Sequence, residues 1–244
     1  MSGSIWRSID TAEKSDYGKM ECMEMTDVAI VGGGLCGILC AWFLKDAGVD
    51  CILLDKNRIA GGTGKDAMAQ VTSQHGLIYS KLVERDSEEK ARMYFQANEL
   101  AIQKYRELSE QIDCDFSEEK SYVYTTAEDE VPEIEKEVEV VNKLGKNAKL
   151  VSNIDLPIKI KAAIEFDGQA QFHPRKYMLG LANVISKQNK IYENTTVVDV
   201  EKDKEGYKIS TDTGNDVYAK HVVIATHFPI VNAPGFYFVK MYQS

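Results

Sequence analysis

The feature that most constrains this chain is a glycine motif that joins two apolar runs within residues 26–55. Residues 28–31 (VAIV) are short enough for a buried strand, and residues 35–44 have the length and apolar content of a helix. Residues 49–54 have the composition of a second buried strand. Between the first strand and the helix stand Gly32, Gly34 and Gly37, in the order G-x-G-x-x-G. The stretch therefore predicts a strand–helix–strand unit of the Rossmann type.

Each glycine of this motif has a role in dinucleotide binding. Gly32 permits the tight turn from strand to helix, Gly34 lets a pyrophosphate approach the backbone, and Gly37 lets the helix pack closely on the strand. The pyrophosphate is expected at the helix start, where N–H groups lack intrahelical partners and the helix dipole is positive. Asp55 follows the second strand and is placed to accept hydrogen bonds from a ribose diol. The motif alone does not separate FAD from NAD, and a unit that binds no dinucleotide is a further alternative.

The composition is that of an ordinary globular protein with an acidic surface. The 244 residues are 44% hydrophobic and 27% charged, and the formal net charge is −9. This acidity disfavours general binding to nucleic acid or to an anionic membrane surface, and no window approaches the roughly eighteen apolar residues of a membrane span. The five cysteines include no C-x-x-C pair, which fits a reducing compartment, so we expect a cytoplasmic protein.

Beyond residue 55 three helices are predicted. The first begins near Asp86, which with Glu89 resembles a capping box, and the others begin at Pro132 and Pro174. The acidic run in residues 133–139 is interpreted as the solvated face of the second helix. Residues 67–77 are small and polar, which favours either a short helix or an irregular segment.

Strand composition appears in several separate segments. Residues 121–126 and 162–166 are predicted strands. Three further short strands are predicted at residues 195–200, 207–211 and 216–219, joined by turn-rich segments, which indicates an antiparallel meander. Residues 221–226 (HVVIAT) are interpreted as another apolar, buried strand that ends beside a ligand crevice.

Taken in order, the motifs GGGLCG, LLDK, GGTGK, QFHP, ENTTVVDV and VVIATH resemble the D-amino-acid oxidase superfamily of FAD-dependent oxidoreductases. Glycine, sarcosine and γ-glutamylputrescine oxidases belong to that superfamily. The stretches SIWR, TSQHGLIY and ATHFPI resemble bacterial members that carry a C-terminal Rieske iron–sulfur domain. The resemblance covers nearly the whole chain and implies FAD as the cofactor.

The resemblance also implies which residues contact FAD. The glycine motif would hold the pyrophosphate, and Asp55 the adenosine ribose. Residues 62–65 match a family loop that runs along the flavin phosphate and ribitol, and Val197 matches the residue whose backbone pairs with adenine. Ala225 and Thr226 correspond to a small-residue turn after the late strand. The full set is Gly32, Gly34, Leu35, Cys36, Gly37, Asp55, Lys56, Gly62, Thr63, Gly64, Lys65, Val197, Ala225 and Thr226.

The chain departs from the family pattern in two ways. His227 stands where many relatives have glycine. Relatives continue far beyond residue 244, into a second glycine-rich flavin contact and most of the substrate-facing sheet. Residues 236–240 have strand composition, so we expect the chain to end within a strand and, alone, to bind FAD without appreciable turnover. No Cys-x-His…Cys-x-x-His pair is present, which predicts that this chain holds no Rieske site.

The four histidines are not spaced as metal ligands, so no metal site is predicted. His75 is interpreted as a polar residue facing the isoalloxazine or, as in some relatives, as a point of covalent flavin attachment. His173 precedes Pro174 at a helix entry, where we expect a structural role, and His221 is expected to be exposed at a strand start. Cys114 lies between two aspartates, whose charge is expected to raise its pKa.

Together these features predict an α/β fold. A Rossmann-like FAD-binding domain of the glutathione-reductase type (residues 27–84 and 169–227) would be interleaved with an incomplete α+β substrate domain (residues 85–168 and 228–244), after an N-terminal arm of residues 1–26. The implied reaction is oxidation of the C–N bond of a small-molecule amino acid or other amine, with hydride passing to flavin N5 and hydrolysis of the imine. Neither a catalytic residue nor the electron acceptor follows from the sequence. The alternatives are an NAD-dependent dehydrogenase and a truncated FAD-binding fragment without turnover.

Overall fold

The computed structural model of this chain describes residues 15–227 and residue 230, without the side chains of Lys65 and Asp66. The described strands are β1 (Glu24–Val31), β2 (Cys51–Leu54), β3 (Gln70–Val71), β4 (Ser117–Thr125), β5 (Lys149–Val151), β6 (Ala162–Gln171), β7 (Lys190–Tyr192), β8 (Val197–Asp203), β9 (Gly206–Thr211) and β10 (Asp216–Ile224). The described helices are α1 (Leu35–Asp46), α2 (Tyr79–Arg85), α3 (Glu88–Ser109), α4 (Val131–Leu144) and α5 (Pro174–Ile185), with a 3-10 helix over Thr63–Asp66.

The chain divides into two compact units. The second is the continuous segment Met68–His173, and the first is made of the chain on either side of it. The sequence predicts two interleaved functional domains, and that division stays a prediction. The compact units divide after residues 67 and 173, whereas the functional domains proposed from the sequence divide after residues 84 and 168. Residues 228–244, apart from residue 230, lie outside the described residues, and so does the strand composition noted there.

The first unit is built on a six-stranded sheet in the order β7-β2-β1-β10-β9-β8. Strands β7, β2, β1 and β10 are mutually parallel, and β8, β9 and β10 form an antiparallel meander. The strand–helix–strand prediction is confirmed, because β1 and β2 pair in parallel on either side of α1 in the chain, with Val31 opposite Leu54. Gly48, with φ of +71°, follows the end of α1 and turns the chain toward β2.

Strand β10 differs from the prediction in length and burial. The two strands expected at residues 216–219 and 221–226 are one continuous strand, which pairs antiparallel with β9 up to Ala219 and parallel with β1 up to Ile224. The expectation that its second half is buried is wrong, since Val222 and Val223 are half-buried and Ile224 is 39% exposed. The reason is that β9 stops pairing at Ala219, so the second half of β10 is an edge among the described strands.

The core of the first unit lies against this sheet. Helices α1 and α5 pack on each other, and Trp42 is a buried side chain of α1. Met20 of the predicted N-terminal arm belongs to the same core, where it is 1% exposed. The buried apolar side chains of this core include Met20, Ala29, Val31, Ile52, Leu54, Val197, Ile209, Val217 and Ala219.

The second unit is a four-stranded antiparallel sheet covered by helices. Strand β6 is central, with β4 on one edge and both β3 and β5 on the other. Glu165 of β6 accepts hydrogen bonds from Lys120 (3.0 Å) and Tyr122 (2.9 Å) of β4. The bond from Lys120 is the main reason that the pKa of Glu165 lies below its usual value. The buried core of this unit includes Tyr79, Ala91, Phe95, Ile134, Val141, Leu144, Ala148, Ala162, Ile164 and Phe166.

The structure corrects one prediction about a helix terminus and one about a solvated helix face. Helix α3 is capped by Ser87, whose hydroxyl accepts the Lys90 N–H at 3.2 Å, and not by Asp86. In the acidic run of α4, Glu137 is 1% exposed instead of solvated. Its carboxylate accepts the N–H groups of Tyr79 (2.7 Å) and Ser80 (2.8 Å), and so caps the first turn of α2 from a distant part of the chain.

Candidate functional site

The site begins at the turn from β1 to α1. Gly32 adopts φ of +112°, a conformation that favours glycine, and its N–H donates to the carbonyl of Leu54 at 2.8 Å. The residue after β10 lies on the other side, where the Ala225 N–H donates to the carbonyl of Val31 at 2.8 Å. A Cβ on Gly32 would lie 2.7 Å from the Ala225 carbonyl oxygen. The turn is therefore fixed between the ends of β2 and β10.

The glycines of this turn differ in what surrounds them. A Cβ on Gly37 would lie 1.9 Å from the Gly32 carbonyl oxygen, and a Cβ on Gly33 would lie 2.4 Å from Ile59 Cγ2. A Cβ on Gly34, by contrast, would meet no atom within 4 Å. Packing within the protein thus requires glycine at positions 32, 33 and 37, whereas Gly34 borders open space.

Gly34 is also the N-cap residue of α1, directly before Leu35. It has an extended conformation (φ −82°, ψ −175°), its position carries no side-chain cap, and the first helical turn contains no acidic residue. Cys36 is exposed in this turn. A helix start of this kind presents N–H groups and the positive end of the helix dipole to a bound anion.

Asp55 lies at the end of β2, beside the same turn. Its Oδ2 accepts the Gly33 N–H and its Oδ1 accepts the Asn57 N–H, both at 2.7 Å. Burial raises the pKa of Asp55 above its usual value, while the two amide bonds act in the opposite direction. Lys56, the next residue, is exposed. The carboxylate is thus held against the glycine turn.

The loop after Asp55 leads to residues 62–65, which are predicted to lie along the flavin phosphate and ribitol and are called the ribitol loop below. The Ala60 N–H donates to the carbonyl of Gly33 at 2.9 Å. Gly62 and Thr63 are exposed, and a Cβ on Gly62 would meet no atom within 4 Å. A Cβ on Gly64 would lie 3.2 Å from Met178 Cε of α5. Residues 63–66, including the backbone of Lys65, form a 3-10 helix where the sequence predicts a loop.

The remaining predicted contacts fall in two places. Thr226 follows Ala225, at the end of β10 beside the glycine turn, and both residues are half-buried. Val197 is the first residue of β8 and its side chain is in the core. It lies two residues after Thr195, whose N–H donates to the carbonyl of Asp55 at 2.9 Å. The structure therefore brings the predicted residues around the glycine turn together with the start of β8 near Asp55.

Comparison with known proteins identifies the family. The family model for FAD-dependent oxidoreductases of the DAO type matches residues 27–239. The chain belongs to the DAO family. A protein of Bacillus subtilis (strain 168), YhfW, named as a Rieske 2Fe-2S iron–sulfur protein, is 33% identical over 220 residues, which are 89% of this chain and 43% of YhfW. This match confirms the resemblance to Rieske-carrying members.

Solved structures confirm the fold class of this DAO-family chain. Glycine oxidase from Geobacillus kaustophilus superposes with a TM-score of 0.69 at 21% identity, covering 84% of this chain and 56% of the oxidase. L-Amino acid deaminase from Proteus myxofaciens gives a TM-score of 0.72 at 18% identity, covering 88% of this chain and 48% of the deaminase. The chain spans about half the length of these relatives, and the identities establish the fold alone.

The geometry of the glycine turn fits FAD, the cofactor of the DAO family. A pyrophosphate requires close approach to the backbone, and the open side of Gly34 allows it at an uncapped helix start. A ribose requires an acceptor near that turn, which Asp55 supplies. Across the described residues, His, Cys, Asp and Glu side chains do not gather in groups of three or more that could hold a metal ion. None of the helices described for this chain is both long and apolar enough to cross a membrane.

Three histidines and Cys114, for which the sequence predicts other roles, are not part of the glycine turn. His75 belongs to the second unit, where its Nδ1 lies 2.9 Å from Tyr94 Oη. The backbone N–H of His173 donates to the carbonyl of Cys114 at 2.7 Å, and His221 is exposed as predicted. The pKa of Cys114 is raised as predicted, although burial is a larger cause than the neighbouring aspartates.

The site contains one polar residue that the sequence did not single out. Glu193, directly after β7, is 1% exposed. It accepts the Ile59 N–H at 2.8 Å and the hydroxyl of Ser15 with Oε1, and the Tyr17 N–H at 3.2 Å with Oε2. Its motif, ENTTVVDV, carried only the signal for Val197. An acidic residue directly after a strand is also common on protein surfaces, so its burial follows only from the docked N-terminal segment.

Proposed function

We propose that this chain binds FAD across the glycine turn, with the pyrophosphate at the start of α1 and the adenosine ribose on Asp55. The observation that carries the proposal is the open space beside Gly34, within a turn whose other glycines are closed by packing. The loop of residues 62–65 would follow the phosphate and ribitol, and the backbone of Val197 would meet the adenine. Ala225 and Thr226 would line the turn from the end of β10.

The proposed activity is oxidation of the C–N bond of an amino acid or another small amine. When bound, FAD supplies the oxidising centre that accepts hydride from the carbon beside nitrogen, after which the imine is hydrolysed. The names of the structural relatives support this class, because glycine oxidase and L-amino acid deaminase both act on amino acids. The residues of this chain contribute by binding and orienting the cofactor: the amides at the start of α1 neutralise the pyrophosphate, and Asp55 fixes the ribose.

Binding is tested by titrating the protein with FAD and following the quenching of flavin fluorescence. Gly34→Val is expected to abolish binding, because a branched side chain fills the space that the pyrophosphate needs. Asp55→Ala removes one charge-assisted acceptor and is expected to weaken binding by about 1.5–3 kcal/mol. Retention of FAD by a folded Gly34→Val protein would contradict the proposed site.

The ribitol loop is tested with Lys65→Glu. If the loop lies along the anionic part of FAD, the reversed charge weakens binding at low salt, and added salt reduces the difference from wild type. Lys204→Glu is the matched control, because it makes the same charge change at an exposed position of the β8–β9 turn, outside the proposed site. Equal FAD affinity of Lys65→Glu and wild type at low salt would show that the loop lies elsewhere.

The substrate class is tested by mixing the FAD-loaded protein anaerobically with glycine, sarcosine, D-amino acids and L-amino acids. Loss of flavin absorbance with one of these amines supports amine oxidation. Stable FAD binding without loss of absorbance with any of them would support the alternative of a binding fragment without turnover.

A further inference from the structure

A buried carboxylate organises the loop that follows Asp55. Glu193 is 1% exposed and is surrounded by two backbone amides and one hydroxyl, all of which donate to its carboxylate. One amide belongs to Ile59 of that loop, and the other two donors belong to Ser15 and Tyr17 of the N-terminal segment. Arg58 adds a further link between loop and segment, because its Nη1 donates to the carbonyl of Ser15 at 3.0 Å.

The loop held by Glu193 packs directly on the glycine turn. Ile59 is 1% exposed, and its Cγ2 occupies the space that a Cβ on Gly33 would need. The next residue, Ala60, donates its N–H to the carbonyl of Gly33, whose own N–H donates to Asp55 at 2.7 Å. A continuous chain of contacts therefore runs from Glu193 through Ile59 and Gly33 to the Asp55 carboxylate.

We propose that Glu193 is a positioning residue of the cofactor site, which acts through the Ile59 amide to fix the Gly33 turn and the Asp55 carboxylate for the adenosine ribose. The inference rests on the proposed function, FAD binding through Asp55. It extends the site to the N-terminal segment, since Ser15 and Tyr17 complete the set of donors that keep the Glu193 carboxylate in place.

The Glu193→Gln variant distinguishes positioning by Glu193 from a simple electrostatic effect of its charge. Glu193 is a negative charge close enough to Asp55 to raise the pKa of that residue. Removing a negative charge beside a site for an anionic cofactor favours tighter binding on electrostatic grounds. A glutamine amide, however, has a single acceptor oxygen. If that oxygen stays with the Ile59 amide and the Ser15 hydroxyl, the N–H2 group faces the Tyr17 N–H, which loses its acceptor, and the remaining bonds no longer end on a charged group. Positioning therefore predicts weaker binding, which is the opposite sign.

The experiment compares wild type, Glu193→Gln, Asp55→Ala and the double variant by FAD titration. Glu193→Gln is expected to weaken FAD binding by about tenfold, the effect of losing one hydrogen bond to a charged group. In the Asp55→Ala background the same change is expected to alter the affinity by less than about twofold, because the group that Glu193 positions is gone. Glu205→Gln, at an exposed position of the β8–β9 turn, makes the same charge change and is expected to leave affinity unchanged.

A purely structural role gives a different pattern. A structural role would lower the affinity for every ligand. A role through Asp55 lowers the affinity for ADP, measured by competition with FAD, but does not lower the affinity for FMN, which lacks the adenosine. Unchanged or tighter FAD binding by Glu193→Gln, or full additivity with Asp55→Ala, overturns the inference and leaves the proposed function intact. Absence of FAD binding to wild type overturns both. If Glu193→Gln does not fold, Ser15→Ala is used instead. We expect Ser15→Ala to bind FAD more weakly than wild type, and an affinity equal to that of wild type would overturn the inference.

Discussion

The sharpest prediction concerns Gly37, where the structure allows the cost of one methyl group to be worked out. A Cβ at this position would lie 1.9 Å from the carbonyl oxygen of Gly32. A close carbon–oxygen contact is about 3.3 Å, so α1 must move away from the Gly32 carbonyl by about 1.4 Å in Gly37→Ala. Overpacking of this kind costs about 1–3 kcal/mol, and the opposing atom is backbone that cannot rotate away. Replacing a helical glycine by alanine returns about 0.5–1 kcal/mol. Because the opposing atom is backbone, the upper end of the overpacking cost applies, and we expect a net loss of about 2 kcal/mol in the free energy of unfolding.

Gly34→Ala is the matched comparison within the same motif. Its methyl group meets no atom within 4 Å, and its extended backbone suits any residue. Alanine is a poorer helix cap than glycine, which lowers the free energy of unfolding, but it also restricts the unfolded chain, which raises it. The two effects offset each other to within about 1 kcal/mol. We expect Gly34→Ala to keep the stability of wild type and to lose FAD affinity, whereas Gly37→Ala loses both.

Urea denaturation followed by tryptophan fluorescence measures this difference. The chain has two tryptophans, and in a Trp6→Phe background the signal comes from Trp42, which is buried on α1 itself. Flavin titration of the same proteins gives the affinities. Two results would contradict this reasoning: Gly37→Ala unfolding at the same urea concentration as wild type, or Gly34→Ala being destabilised as much as Gly37→Ala. Either would show that Gly37 is not required for packing or that Gly34 does not border open space for a ligand.

Three further predictions concern buried groups and thiols. Glu137→Gln leaves one of two buried amides of α2 without its acceptor and should lower the free energy of unfolding by about 1.5–3 kcal/mol; an effect no larger than that of the exposed control Glu135→Gln would refute this capping role. Because the pKa of Glu165 is lowered in the folded state, its contribution to stability is present above the ordinary pKa of 4.5 and is lost as the pH falls. Urea denaturation should therefore show Glu165→Gln less stable than wild type at pH 7 and the difference shrinking below pH 4.5; a pH-independent difference would contradict it. Maleimide should label exposed Cys36 but not Cys51, whose pKa burial raises to about 11, and FAD should protect Cys36; labelling unaffected by saturating FAD would argue against cofactor at the start of α1.

Sequence patterns predicted those parts of the fold that depend on neighbours in the chain. The first strand, the glycine turn, α1 and β2 are encoded within residues 26–55, and the helix that begins at Pro174 follows from a local signal. Short strands such as β5 and β7, of three residues each, were not predicted, because their strand conformation comes from pairing with β6 and β2. The continuity of β10 was missed for the same reason, since its two halves pair with different partners.

The polar interactions of the site were harder to predict from the sequence than the positions of its glycines. Glu137 was predicted to be solvated and Glu193 was not singled out, because charged residues are rarely buried without partners. Their partners are backbone amides 58 and 134 residues away in the chain, and amides carry no signal in the sequence. The difference among the glycines of the turn was also hidden, since it depends on whether Ile59 and the Gly32 carbonyl lie within reach of each one.

The pairing of β1 with β10 has a consequence for how the chain is made. Glu24 lies opposite Val217, so the central parallel pair of the first unit cannot form until β10 has left the ribosome. At about 5–20 residues per second, β1 and α1 wait on the order of ten to forty seconds for their partner strand. The second unit, Met68–His173, is continuous and is complete before that time. The inserted unit should thus fold first, while the glycine turn stays unformed; nascent chains arrested before β10 should resist protease within Met68–His173 but be cleaved in β1 and α1.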